Sequence, residues 1–182
     1  MASIYLAQSK IEQAIAAYQK GINVNEKSII LPLQKASLHE SIGDFTGAKI
    51  LYENVLAQNP DVEPAINNLA SLLTDRFPSE ENINKAVALS ERFKSATEPY
   101  YLDTYAWTQT LKGNFDNAQG ILERVVSLSP DVAVFNYHLG ALYLKQDNKV
   151  EAENYLKKAV SLAEKQKDQT ILDNANKLLE SF

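Results

Sequence analysis

The sequence predicts an all-α protein built from antiparallel helix pairs stacked in series, and three observations predict it. A unit of turn, helix and stop occurs twice, as Gly43-Asp-Phe-Thr-Gly-Ala48 running on to Pro60 and as Gly113-Asn-Phe-Asp-Asn-Ala118 running on to Pro130. Small residues recur at a near-constant interval, with Ala14, Ala48, Ala86, Ala118 and Ala152 standing 34, 38, 32 and 34 residues apart. Around them the apolar residues fall at helical spacing, as Ile11, Ala14, Ile15, Tyr18 and Ile22 do. A unit that recurs at such a period marks a repeat architecture.

Each part of the unit has a physical reason. Gly followed by Asp44 or Asn114 suits a tight turn, after which the Asp or Asn side chain can cap the next helix by accepting from its free N–H groups. The Ala five residues after the Gly lets two helices approach closely. The Pro twelve residues further on lacks an N–H and disfavours helix in the residue before it.

Taken in order, residues 1–28 read as a truncated repeat, with a short helical remnant, a turn near Gln8 to Lys10, and a helix from Ile11. Residues 29–62 form a full repeat whose first helix carries Leu33, Ala36 and Ile42, and Asp61 stands where it can cap the helix that follows. Residues 63–98 form a repeat with an insertion near 76–84, where Pro78 should end one helix and Ser79-Glu80-Glu81 start the next. Four extra residues add about one helical turn, so the inward face is nearly kept. Residues 99–132 and 133–166 are regular repeats, the latter with a capping box at Asn148-Lys-Val-Glu151. Residues 167–182 supply an amphipathic last helix with Ile171, Leu172, Ala175, Leu178 and Leu179 on one face, the cap that an open-ended stack needs. The whole reads as one domain over 1–182.

Composition bounds the function. The chain has 182 residues, no cysteine and a net charge of −5. That excludes disulfides and thiolate metal sites and argues against a nucleic-acid footprint, which is normally a basic patch. No apolar run approaches the ~18–20 residues of a membrane span. There is no Gly-rich phosphate loop, no pair of histidines at metal-binding spacing and no cysteine nucleophile, so the reading is of a protein that is not an enzyme and uses no cofactor. His39 falls at a packing position, and His138 stands where a polar contact between neighbouring helices is expected. Glu80 and Glu81 are solvated residues at a helix start, favoured by its dipole. Composition leaves the compartment open.

These residues resemble the tetratricopeptide repeat, a helix-turn-helix unit of 34 residues. Leu69-Ala70 and Leu139-Gly140 match its Leu-small pair, Tyr143 its first-helix aromatic, and Ala14 with Tyr18 and Ala48 with Tyr52 its second helix. Lys35 replaces a Leu, and Glu26 and Glu164 replace the terminal Pro. The resemblance implies a right-handed superhelical solenoid whose first helices line a concave groove, serving as a scaffold for a protein or peptide. Within that family, Tyr101-Leu-Asp-Thr-Tyr-Ala-Trp107 and Tyr137-His-Leu-Gly140 are similar to bacterial repeat proteins of cell-envelope and exopolysaccharide systems, such as the repeat lipoprotein that accompanies the PEP-CTERM/exosortase system. That resemblance implies an alternative role as a structural assembly module of an envelope or export complex.

In the register of that family, residues at i, i+4 and i+7 of each first helix share one stripe. The groove is then expected at Leu33, Ser37, Asn67, Asn68, Ser71, Asp103, Trp107, Thr110 and Tyr137, with Trp107 an aromatic anchor or a filler between first helices. The chaperone-binding members of the family hold a peptide carboxylate with basic residues, whereas Leu33, Ser37, Asp103 and Trp107 occupy those positions here and only Asn68 matches. A carboxylate-binding groove is therefore not expected. Counting the register back from Ala14 places Met1 at about the seventh position of a first helix. The apolar face of Ile11, Ile15 and Tyr18 would then lack part of its partner, and end-to-end self-association through residues 1–25 is expected.

Overall fold

A computed structural model describes residues 1–181 and shows an all-helical chain among them. The helices are α1 (Ala2–Ala7), α2 (Ile11–Val24), α3 (Ile30–Ser41), α4 (Phe45–Gln58), α5 (Glu63–Asp75), α6 (Glu80–Ser90) extended by a 3-10 turn (Glu91–Phe93), α7 (Pro99–Leu111), α8 (Phe115–Leu128), α9 (Ala133–Lys145), α10 (Lys149–Gln166) and α11 (Gln169–Leu179). They fall into two compact units, Met1–Asn82 and Ile83–Phe182, divided within the first turn of α6.

In the first unit, α1 packs on α2, α2 on α3, α3 on α4 and α4 on α5. Ala14, Tyr18 and Leu38 form a buried cluster there, with Leu6, Ile11, Ile15 and Leu31 against it. In the second unit, α7 pairs with α8 and α9 with α10, α8 and α9 pack together, and α11 covers α10 and α9. Ala118, Leu122, Phe135, Leu139 and Ala152 centre one buried cluster, and Leu156, Ala159, Ala163 and Ile171 a second beneath α11. All five of the recurring alanines have no exposed surface, which is what a close helix-helix approach requires.

The turns explain how the pairs form. Gly43 and Gly113 lie at φ 81° and 85°, in the left-handed region that glycine enters without a Cβ clash. Ser9 and Asp147, each 34 residues from one of these glycines, take the same conformation at φ 56° and 61°. Asp44 caps α4 by accepting from the Gly47 N–H, and this bond, with a second from His39, holds its carboxyl below the ordinary range. Asn114 does not cap α8 with its side chain, because its carboxamide donates instead to Gln109 at 2.8 Å. Val62, not Asp61, precedes α5, and Pro64 in the first turn needs no capped N–H. Ser79 accepts from the Asn82 N–H at the start of α6, and Asn148 from the Glu151 N–H, which is half of a capping box. Without a proline near Glu164, α10 runs on to Gln166 and stops at Lys167 in the left-handed conformation, after which Asp168 caps α11.

Candidate functional site

The first unit holds a cavity of about 540 Å³ lined by α1, α2, α3 and α5. Leu33 and Ser37 of α3, Asn68 and Pro64 of α5, and Leu6 and Ile11 of α1 and α2 line it, together with Gln34, Leu38, Ser41 and Tyr18. Helical spacing explains the grouping, since Leu33 and Ser37 are one turn apart and point the same way. Three of the residues expected in a groove, Leu33, Ser37 and Asn68, therefore meet in one cavity. Asn67 joins them through a 3.3 Å bond from its Nδ2 to Asn68 Oδ1, and Ser71 lies one turn further along α5, half-buried.

Behind the cavity lies a polar network that the sequence does not announce. The Tyr52 hydroxyl, fully buried on α4, donates to Glu40 on α3 and accepts from Asn68 Nδ2 at 3.1 Å and from Ser37. Burial is the main influence on Glu40 and raises its pKa, against the lowering effects of the Tyr52 bond and the Arg76 charge. Burial and then the Glu40 carboxylate push the Tyr52 pKa up, so the phenol keeps its proton. Asn67 Oδ1 is buried and makes no hydrogen bond. Tyr52 could be recognised in sequence only as a packing aromatic after Ala48. Its hydroxyl reaches Asn68, a residue of the cavity lining, from the second helix of a pair, whereas a stripe argument looks only at first helices.

In the second unit the expected residues are packed rather than displayed. Asp103, Trp107 and Thr110 on α7 are 4%, 8% and 1% exposed, and Tyr137 on α9 is half-buried. The Trp107 indole stacks on the His138 imidazole with centroids 4.2 Å apart and planes at 10°, and Tyr137 tilts against Trp107 at 6.0 Å. His138 Nδ1 lies 2.9 Å from Asp103 Oδ2, which ties α9 to α7 as the polar contact between helices expected of that histidine. Asp103 Oδ1 and Trp107 Nε1 are buried without a hydrogen-bond partner. Thr110 Oγ1 donates to its own helix at Ala106 O. Of the nearby tyrosines, Tyr105 is buried, Tyr101 stacks on Phe93 at 4.5 Å, and Tyr100 stays half exposed against Phe135. His39 pairs with Asp44 at 2.7 Å, and the described residues hold no cluster of His, Asp or Glu that could bind a metal.

A second cavity in the first unit, of about 720 Å³, opens at the amino-terminal edge. The six-residue α1 covers only part of the fourteen-residue α2. Ala16, Ala17, Gly21 and Val24 of α2 and Leu31 of α3 therefore form an apolar floor, with Lys20 the charged side chain on its rim. Val24 is 82% and Ile4 58% exposed beside it.

Helix pairs packed in series within each unit define a helical-repeat fold. Residues 110–169 match a family model described as Tetratricopeptide repeat, and residues 1–28 match a second model of the same description. Those two segments are tetratricopeptide repeats, units of the kind that serve in protein-interaction scaffolds. No curated protein matches it. Among solved structures it is similar in fold to MamA (41-end) from Desulfovibrio magneticus RS-1, at 16% identity and a TM-score of 0.68 over 91% of this chain and 92% of that one. It is also similar to PilW, described as a widely conserved type IV pilus biogenesis factor, at 16% identity and 0.70 over 99% and 89%. YrrB, described as having an unusual peptide-binding site, aligns at 18% identity and 0.64 over 97% and 88%.

Proposed function

We propose that the protein is a non-enzymatic scaffold that holds a peptide segment or partner domain against the first helices of its repeats. The observation that carries this reading is the convergence of Leu33, Ser37 and Asn68 on one cavity of about 540 Å³, whose lining joins apolar Leu6, Ile11 and Pro64 to polar Gln34, Ser37 and Asn68. An apolar pocket with a few convergent polar groups is the general form of a binding site. In the second unit Asp103, Trp107 and Thr110 are packed away, and half-buried Tyr137 is the aromatic of that set with surface to offer, of the kind enriched at binding hot spots. The fold likeness to YrrB, whose description includes a peptide-binding site, supports the same reading. The test is photo-crosslinking in lysate from a benzoylphenylalanine placed at Ser37 or Tyr137, with Lys158 on the second-helix side as control. Adducts are expected from the first two positions, and adducts from Lys158 alone would move the site to the other face.

A second reading, a self-associating assembly module of an envelope or export complex, is favoured by the uncovered floor of α2. Small residues there let another helix approach closely, and exposed apolar area promotes association. The likeness to PilW fits such a setting. Sedimentation velocity should then show a concentration-dependent dimer that Ala17→Arg abolishes through residues 1–25. A chain that stays monomeric at high concentration removes this reading.

A further inference from the structure

We infer that the cavity of the first unit receives an uncharged apolar side chain, leucine or phenylalanine, of the bound peptide, whose adjoining backbone amide pairs with the carboxamides of Gln34 and Asn68. This rests on the peptide-scaffold reading and says which residue that scaffold reads.

The lining is layered by exposure. Tyr18 and Leu38 are buried and belong to the core cluster of this unit, so they form the deepest part of the cavity. Leu6, Ile11 and Leu33 are half-buried and Pro64 is exposed, which carries apolar surface from the core out to solvent. Gln34, Ser37 and Ser41 are exposed and fall at i, i+3 and i+7 of α3, so they edge the cavity along one helix face. Asn68 stands half-buried on α5. A side chain that enters here meets apolar surface at depth and uncharged polar groups at the mouth. Burying leucine or phenylalanine against Tyr18, Leu33 and Leu38 takes apolar area of both partners out of water.

Charge excludes the alternatives. No charged side chain lines the cavity. A lysine or arginine head would leave water for a site whose nearby carboxylate, Glu40, is already bonded to Tyr52 and faces Arg76. A glutamate or phosphate would meet no cation in the lining and would stand near that same carboxylate. The polar groups are of both kinds, which is what a backbone amide needs, since it presents one N–H and one C=O per residue. Asn68 spends one N–H on Tyr52 and keeps the other, and its Oδ1 receives a 3.3 Å bond from Asn67. The Gln34 carboxamide takes part in no hydrogen bond among the described residues, so it can donate and accept. Ser41 gives its proton to Leu38 O at 2.8 Å and is left to accept.

The experiment uses the full chain and positional-scanning libraries of acetylated, amidated peptides about 12 residues long, roughly the span over which groove-bound segments place their anchors. One central residue is fixed as Leu, Phe, Ala, Lys or Glu, and all others are degenerate. Wild type is expected to bind the Leu and Phe libraries about tenfold better than Ala, which keeps the backbone and loses the anchor, and to bind Lys and Glu no better than Ala. Ser37→Leu and Ser41→Leu each put an apolar side chain into the space, so each should cut that preference by about threefold or more and leave binding of the Ala library near wild type. Two variants are used so that a folding defect in one, read from its melting curve, does not decide the result. Gln34→Ala should weaken the Leu and Ala libraries by the same factor, as loss of a backbone contact would. Libraries bound without preference for Leu or Phe, or bound best with Lys or Glu, would overturn this inference and leave the scaffold reading standing. Failure of every library to bind would overturn both. A preference kept in both filled variants but lost in Ala17→Arg would also overturn it, by placing the anchor in the amino-terminal cavity.

Discussion

Glu40 is held in its groove at a cost to the fold. Burial raises its pKa more than the Tyr52 bond and the Arg76 charge lower it, and the nearby Asp75 adds to the rise. A carboxyl whose folded pKa exceeds its unfolded value binds more protons when folded. Its contribution is therefore fully present below the ordinary glutamate range and is lost as pH rises through the raised folded value. Glu40→Gln keeps an acceptor for Tyr52 and removes the titration. Its melting temperature is expected to exceed wild type at pH 8, with the gap closing by pH 4. A gap of the same size at both pH values would show that burial does not dominate at Glu40. Trp107 presents the opposite case. Its indole is stacked and almost wholly buried, so truncation to Ala would open a cavity costing about 3–5 kcal/mol. Trp107→Phe, which keeps a stacking ring, is the variant that separates recognition from stability there.

Between helices, the tolerances are set by small residues. A Cβ added to Gly140 would stand 2.8 Å from Leu156 Cγ and 3.1 Å from Leu156 N, so α9 and α10 could not keep their approach. Ala118, with no exposed surface, sits in the cluster of Leu122, Phe135 and Ala152. Gly140→Ala and Ala118→Leu are each expected to destabilise by about 1–3 kcal/mol in urea titrations, through overpacking. Lys158→Ala, on an exposed face, should stay within about 0.5 kcal/mol. Coincident curves for Ala118→Leu and Lys158→Ala would remove Ala118 from the interhelical contact.

This is also the scale at which the sequence was most and least readable. The alanine interval, the two glycine turns and the caps at Asp44, Ser79 and Asn148 are local chemistry, visible in a few consecutive residues. Asn114 misled because its carboxamide had a competing partner, Gln109, across the turn. Leu33 and Ser37 share a stripe by helical periodicity once the family's register is supplied, and Asn68 follows from its match to a position of the family's clamp. The polarity around them does not follow, because that depends on a hydroxyl arriving from α4 and on which way each proton points. The burial of Asp103 and Trp107 was equally hidden, since it requires knowing that His138 stacks on the indole and binds the carboxylate.

For the whole molecule, net charge sets how encounters respond to salt. The chain is acidic, at −5. Association with a basic partner should therefore slow as salt rises, and association with a neutral one should not, as stopped-flow rates at two ionic strengths would show.

Stability can be added to this chain without touching a groove, because three of the five left-handed positions among the described residues, Ser9, Asp147 and Lys167, carry a Cβ. Ser9 and Asp147 hold φ values near those of Gly43 and Gly113. A left-handed L-residue costs roughly 1–2 kcal/mol, less for Asp, whose side chain bonds locally. Glycine gives back about 0.5–1 kcal/mol through its freer unfolded chain. Ser9→Gly is therefore expected to raise the melting temperature, and Asp147→Gly to raise it less, with both measured by thermal denaturation. The turn, rather than the helix, is the joint at which such a repeat array can be stiffened one pair at a time.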